Sequence, residues 1–234
     1  MNDRLKDFLE VYSKAFKESF SKINKVYVAF IVILIRAFFE NYRFIGMFGG
    51  NMLEGLVNYF LDAALLSFVI QALKSFVVYG NSGKKSIGNS LTNFWQPVLA
   101  TIFYVYLVEM VLRLIGTGMP YNIYAILLFL FKFAMSALVE EIYINGKTGF
   151  EALKQSAKFV CDNILTYGLF TFIFIFIEFY INYVYTYSLP MGLNRAGYVL
   201  ILGLIETFFY VIRGHLFKYL DHHSYRQRKF MRGY

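Results

Sequence analysis

The chain has 234 residues, of which 58% are apolar, 21% aromatic and only 16% charged. An ordinary soluble domain is about 45–50% apolar, so this composition excludes a water-exposed globule and also a disordered chain. The net charge of +8 does not indicate a nucleic-acid partner, because the basic residues flank apolar runs, where they orient a membrane protein.

The N-terminal segment, residues 1–25, interleaves acidic residues with six lysines and arginines and has no small-residue cleavage site after an apolar core. This pattern predicts an amphipathic cytoplasmic segment that stays in the mature protein, and not a cleaved signal peptide. The single cysteine, Cys161, excludes an internal disulfide, and we expect it to fill a small apolar space.

Six apolar stretches then approach the roughly 20 residues that a transmembrane helix needs. In chain order they cover residues 26–45, 53–78, 97–116, 121–139, 164–187 and 197–217. The first is interrupted by Arg36, Glu40 and Arg43, so a segment that only dips into the bilayer is an alternative there. We predict an all-α integral membrane protein of six spans in a single polytopic domain, with a basic tail over 218–234.

The distribution of positive charge predicts the orientation. Lysine and arginine are concentrated before the first span, between the second and third, between the fourth and fifth, and after the sixth. The opposite side has Arg36, Arg43, Arg113 and Arg195. The positive-inside rule therefore predicts a multi-pass protein of the cell membrane, in a prokaryotic plasma membrane, with both termini in the cytoplasm.

Three segments align without gaps at the entries to the first, third and fifth spans, beginning at Ala15, Ser86 and Ala152. The fifth position of the three segments is occupied by Ser19, Ser90 and Ser156. An apolar residue follows each serine by four, which is helical spacing. We interpret the pattern as three repeats of an amphipathic surface helix followed by a transmembrane hairpin, although such short segments can also align by chance.

The third segment, A-L-K-Q-S from Ala152 ahead of an aromatic-rich span, resembles the six-helix membrane-domain families of bacteria and archaea typified by the membrane domain of glycerophosphodiester phosphodiesterases. The resemblance covers residues 13–215 and rests on the arrangement of helices, with no catalytic motif. It implies the six-helix fold and transfers no active site, because in those families the phosphodiesterase chemistry belongs to a separate soluble domain.

Ionisable residues inside the predicted spans are the most function-like feature of the sequence. Insertion of such a residue costs about 2.5 to 3.5 kcal/mol, so it normally faces the interior of the bundle or a wet cavity. The candidate polar network consists of Arg36, Asp62, Glu109, Lys132, Glu178 and Glu206. Lys132 has no partner on its own helix, and the acids outnumber the bases, so one carboxyl group would be protonated, open to water or able to meet a cation. The other interpretation is a set of buried pairs that fix helix register.

Two further motifs are weak. Glu140-Glu141, at the end of the fourth span, is similar to the paired glutamates of intramembrane CPBP-type proteases. The arginine and the later-span histidines of that family are absent, so we interpret the two residues as solvated acids at the membrane surface.

His215, His222 and His223 could bind zinc, but a solvated tail is the simpler interpretation. We predict no enzyme, metal or cofactor, with an intramembrane hydrolase as a remote alternative.

The sequence favours a transport-type membrane protein, either a small carrier or a permease subunit that docks an ATPase partner. The alternative is a non-transporting scaffold or accessory protein that binds membrane partners. In either case the expected partners are the lipid bilayer, with anionic lipid at the cytoplasmic face, and a membrane or ATPase subunit, with no nucleic acid. The sequence does not specify a substrate.

Overall fold

The computed structural model describes residues 3–41, 52–188, 193–223 and 225–232. Within these ranges every element of regular structure is helical. The α-helices are α1 (Asp3–Ser21), α2 (Tyr27–Asn41), α3 (Met52–Leu73), α4 (Ser90–Gly116), α5 (Tyr121–Ala134), α6 (Leu138–Tyr143), α7 (Gly149–Asp162), α8 (Leu169–Ser188), α9 (Leu193–His222) and α10 (Tyr225–Arg232).

Five helical stretches of the described residues are long and apolar enough to cross a membrane. They are Glu54–Val78, Ile87–Gly116, Tyr121–Tyr143, Ile164–Ile181 and Ala196–His222. Each overlaps one of the second to sixth predicted spans, although Ile87–Gly116 begins ten residues before the predicted 97–116. The first predicted span, 26–45, is not among them: α2 has 15 residues, and residues 42–45 lie outside the described ranges. The protein is thus all-helical within these ranges, with several helices suited to a membrane.

The helices α3 and α9 form the centre of the bundle. Helix α9 packs against α1, α2 and α8, while α3 packs against α2, α4 and α6. The chain itself buries much of the most apolar 18 residues in two of these stretches. The buried share is 61% in Glu54–Val78 and 56% in Ala196–His222. The corresponding shares are 11% for Ile87–Gly116 and 6% for Tyr121–Tyr143, so the α4–α5 hairpin lies at the periphery, where apolar side chains can face lipid.

The packing is densest at one end of the bundle, which we call the basic end. It contains the α1–α2 break, the 79–89 and 144–148 turns and the last turns of α9. Lys25 Nζ donates to the Gly80 carbonyl at 3.2 Å, and Lys218 Nζ donates to the Val77 carbonyl at 3.1 Å. The largest buried clusters join the second half of α3 to α2 and α6, and α7 to the second half of α9.

Short irregular turns interrupt the helices near this end. A π-helical turn over Lys74–Val78 extends α3, and a second over Ile164–Gly168 precedes α8. A 3₁₀ turn over Met135–Ala137 separates α5 from α6. Such π turns are uncommon and are found frequently at functional sites.

The structure corrects the predicted triple repeat. The first and third segments form α1 and α7, and a break at Ile23–Lys25 or at Asn163 separates each from the following span. The second segment forms only a 3₁₀ turn over Ile87–Asn89, after which α4 runs unbroken from Ser90 to Gly116. The expectation of a separate surface helix is wrong for this segment, because α4 continues through it without a break.

The three equivalent serines are all buried. Ser19 Oγ donates to the Ala15 carbonyl one turn back at 2.7 Å, and Ser90 Oγ donates in the same way to the Ile87 carbonyl. Ser156 Oγ instead donates to the Ala134 carbonyl of α5 at 2.8 Å. Small hydroxyl residues at these positions therefore allow close packing while satisfying their own hydrogen-bonding groups.

Candidate functional site

Three of the predicted network residues, Arg36, Lys132 and Glu206, lie within electrostatic range of a fourth, Glu178. Arg36, Glu178 and Glu206 are half-buried, whereas Lys132 is exposed. Glu178 of α8 is influenced electrostatically by Lys132 of α5 and by Arg36 and Glu40 of α2. Glu206 of α9 is influenced by Glu40, Arg36 and Glu178. We call Arg36, Glu40, Lys132, Glu178 and Glu206 the mid-span cluster. Four helices from distant parts of the sequence therefore contribute to a single charged group.

Within the mid-span cluster, the ion pair at short range is the one between Arg36 and Glu40. Arg36 Nη2 lies 2.8 Å from Glu40 Oε1, and their side chains are 25% and 33% exposed. They are four residues apart on one helix, which places them on the same face. No ion pair within 4 Å joins Lys132 to Glu178 or Glu206 among the described residues, so the three carboxyl groups face two basic side chains, of which only Arg36 is paired at short range.

The other two predicted residues lie on α4 and α3. Glu109 Oε2 is 4.0 Å from Arg113 Nη2, on the exposed side of α4, where the arginine side chain is 70% exposed. Asp62 is half-buried on α3. The structure therefore places Glu109, which faces Arg113 on its own helix, outside the mid-span cluster.

A second charged site, which the sequence analysis missed, lies nearer the basic end. Arg213 Nε donates to Glu140 Oε1 at 2.8 Å, and the two side chains are 7% and 0% exposed. Glu141 is also buried, and its Oε2 accepts a hydrogen bond of 2.9 Å from Asn145 Nδ2. The interpretation of Glu140-Glu141 as solvated acids is therefore wrong, because packing of α6 against α7 and α3 encloses them.

The irregular turns position the groups around the Glu140–Arg213 pair. Tyr167, in the second π turn, is fully buried; its hydroxyl lies 3.5 Å from Glu140 Oε2 and 3.3 Å from the Ser136 carbonyl. The Tyr143 hydroxyl is buried beside Gly214, where a Cβ atom would collide with it. Within the described residues this hydroxyl has no hydrogen-bond partner. Gly214 is thus needed for the close approach of α9 to α6.

One face of α9 joins the two charged sites. Glu206, Tyr210 and Arg213 are spaced four and three residues apart, so their side chains project from the same face. The Arg213 guanidinium lies over the Tyr210 ring, 4.8 Å from its centroid. Tyr210 is also influenced electrostatically by Arg36 and Glu206. This face therefore carries a polar column from the mid-span cluster to the Glu140–Arg213 pair.

The terminal segments are also held by buried polar contacts. Arg228 of α10 donates two hydrogen bonds of 3.0 Å to the Asp7 carboxylate of α1, and both side chains are 5% exposed. The expected solvated basic tail is thus wrong at Arg228. The Tyr12 hydroxyl donates to the Thr166 carbonyl at 2.7 Å, and burial raises the pKa of Tyr12 to about 12.

The three histidines do not form the cluster that was considered for zinc. His215 is buried, and its Nδ1 lies 3.1 Å from Glu18 Oε2 of α1, whereas His222 is exposed beside Asp221. Among the described residues, no group of three or more histidine, cysteine, aspartate or glutamate side chains is placed to hold a metal ion. His215 instead helps to fasten α1 to α9.

The comparisons with known proteins add no relative. No family model, no curated protein and no solved structure matches this chain. The resemblance to the six-helix membrane domains therefore stays a prediction, and the geometry of the two charged sites is the basis for any functional conclusion.

Proposed function

We propose that this chain is a transport-type membrane protein, a small carrier or a permease subunit, in which the mid-span cluster exchanges a proton during transport. The observation that carries the proposal is the polar column on α9, which continues from Glu206 past Tyr210 to the buried Arg213–Glu140 pair. Ionisable groups of this kind in spans typically mark ion pathways or proton relays.

The charge balance of the mid-span cluster supports proton exchange. Glu40 is paired with Arg36 at 2.8 Å, and no ion pair within 4 Å joins Glu178 or Glu206 to a basic side chain among the described residues. These two half-buried carboxyl groups therefore lie near Glu40 without a close basic partner. Carboxyl groups crowded in this way do not all ionise readily, and one tends to keep its proton. A group that can release this proton when a neighbour moves would couple proton movement to a conformational change.

The contact between the terminal helices supports a topology with an even number of spans. Asp7 and Arg228 lie at opposite ends of the chain and form a buried ion pair, so the two terminal segments lie on the same side of the bundle. Five candidate spans lie within the described residues, and we propose the first predicted span, 26–45, as the sixth. We propose six spans with both termini in the cytoplasm of a prokaryotic cell, following the positive-inside rule.

A flux assay tests the proposal. Purified protein is reconstituted into liposomes that contain a pH-sensitive dye, and proton entry is followed after a membrane potential is imposed. The wild type should move protons faster than protein-free liposomes, and Glu178→Gln and Glu206→Gln should abolish the difference. Glu109→Gln removes the same charge from a carboxyl group outside the cluster and should leave the flux unchanged. Wild-type flux equal to that of empty liposomes would refute a proton-coupled carrier.

The alternative is a scaffold or accessory protein that binds membrane partners. The observation that favours it is the low burial of the α4–α5 hairpin within the chain, which leaves an apolar surface for lipid or for another membrane subunit. Co-purification in a mild detergent separates these candidates. A stoichiometric membrane or ATPase subunit would favour the scaffold or the permease subunit, whereas an isolated chain with proton flux would favour the carrier.

A further inference from the structure

A polar cavity of 630 Å³ opens at the basic end of the bundle, outside the two charged sites described above. The start of α2, the end of α3 with its π turn, and the following 79–86 turn enclose it. Its basic side chains are Lys25, Lys84 and Lys85, and none of the described residues that line it is acidic. The cavity therefore carries three positive charges with no carboxylate beside them.

Buried hydrogen-bonding groups form the floor of this cavity. Gln71 and Ser75 are 5% and 3% exposed. Ser75 Oγ lies 2.9 Å from Ser86 Oγ, and Gln71 Oε1 accepts a hydrogen bond of 3.1 Å from Asn93 Nδ2. The serine hydroxyls donate to the Gln71 and Gly83 carbonyls at 2.9 and 3.1 Å. The Gln71 amide nitrogen, with one hydrogen on Ser75 Oγ, keeps a second N–H that can donate to an anion.

The backbone of the turn depends on glycine for its shape. Gly83 has a φ of +78°, and a Cβ atom there would lie 2.9 Å from Ser75 Cβ. Gly80 also has a positive φ, of 64°, and its carbonyl accepts the bond from Lys25. Such conformations favour glycine. The turn thus fixes Lys84 and Lys85 at the rim, directly after Gly83, and attaches Lys25 to the opposite wall.

Tyr27 lines this cavity and also a neighbouring apolar crevice of 230 Å³. The crevice lies between the α1–α2 segment and α9, and its walls include Phe20, Phe30, Leu204 and Phe208. A basic cavity beside an apolar crevice suits an amphiphilic ligand, which has an anionic headgroup and an apolar chain. A free anion would use the cavity alone, whereas a lipid would place its headgroup in the cavity and an acyl chain along the crevice.

We propose that the cavity is a binding site for the phosphate headgroup of an anionic lipid, with an acyl chain of that lipid in the crevice beside Tyr27. The lysines attract the phosphate, and the second N–H of the Gln71 amide donates to one of its oxygens. This site does not depend on the mid-span cluster, so the proposal is independent of proton-coupled transport.

The test measures lipid binding to the detergent-solubilised full chain by native mass spectrometry, with short-chain phosphatidylglycerol as the probe and phosphatidylcholine as the uncharged comparison. The wild type should retain phosphatidylglycerol preferentially. The double variant Lys84→Gln/Lys85→Gln should bind it more weakly, by about fivefold for each lysine removed. Lys154→Gln/Lys158→Gln makes the same change of charge on the exposed side of α7 and should bind like the wild type.

Two results of this comparison would overturn the proposal. One is equal binding of the two lipids to the wild type, and the other is an equal loss of binding in both double variants, which would indicate general charge attraction.

A competition experiment separates a lipid from a free anion. Inorganic phosphate should compete only weakly with phosphatidylglycerol, because it cannot occupy the crevice. Competition by inorganic phosphate at the same concentration as the lipid would assign the cavity to a free anion and overturn the lipid proposal.

Discussion

Asp7 and Arg228 form a buried, two-point ion pair across 221 residues of sequence, with both nitrogen–oxygen distances at 3.0 Å. The contact joins α1 to α10 and so ties the first helix of the chain to the last. Because it lies at the terminal segments and not within the predicted spans, its contribution is to assembly and topology and not to the polar column.

Breaking this pair should destabilise the protein. Asp7→Asn leaves the Arg228 guanidinium buried without its counter-charge, which typically costs about 3–5 kcal/mol. Thermal unfolding in detergent should show a lower midpoint. Glu10→Gln removes an acid from the same helix, where Glu10 makes an exposed contact with Lys14 at 2.9 Å, and it should change the midpoint little. Equal midpoints for the two variants would show that the Asp7 contact does not contribute to stability.

The Glu140–Arg213 pair should behave as a coupled unit. Glu140→Gln alone should destabilise the fold by about 3–5 kcal/mol, because Arg213 stays buried and charged, whereas Glu140→Gln/Arg213→Met should recover much of the loss. Denaturant titration of the purified variants gives their free energies of unfolding, and from these the coupling free energy between Glu140 and Arg213. Additive effects of the two substitutions would mean that the residues do not interact, in contradiction to the 2.8 Å contact.

Gly214 should not tolerate a side chain. Gly214→Ala places a methyl group against the Tyr143 hydroxyl and 2.9 Å from Val77 Cγ2, and overpacking of this kind costs about 1–3 kcal/mol. The matched control is Gly197→Ala on the same helix, where a Cβ atom meets no other atom within 4 Å. Tyr143→Phe in the Gly214→Ala background removes the hydroxyl and should restore part of the stability; no restoration would locate the clash elsewhere.

Hydropathy was sufficient to predict the positions of five candidate membrane-spanning helices, because a run of apolar residues is a local property. The bounds differ by up to ten residues, as at Ile87–Gly116 against 97–116. Hydropathy also identified Arg36, Lys132, Glu178 and Glu206 as costly charges that would need partners. It could not identify the partners of Glu140 and Asp7, since those lie 73 and 221 residues away in sequence. The segment from Ser86 was misjudged because local similarity does not reveal whether a helix continues into the next span.

The topology can be tested by cysteine labelling. Cys161 is exposed, so the expectation that it fills a small apolar space is wrong, and it must be replaced first. The exposed residues Lys17 of α1 and Lys154 of α7 are suitable positions for cysteine, as is Tyr121, which is 81% exposed at the start of α5. A membrane-impermeant thiol reagent added to intact cells should label Tyr121→Cys and not Lys17→Cys or Lys154→Cys. Labelling of either lysine position from outside would reverse the proposed orientation.

The most direct test of the central claim is whether the mid-span cluster contains a carboxyl group that exchanges a proton. Infrared difference spectroscopy of the purified protein between two pH values reports the carbonyl band of each carboxyl group that changes its protonation. The account predicts a band in the wild type that Glu178→Gln or Glu206→Gln removes and that Glu109→Gln leaves in place. A spectrum that is identical in the wild type and in the Glu178→Gln and Glu206→Gln variants would contradict it.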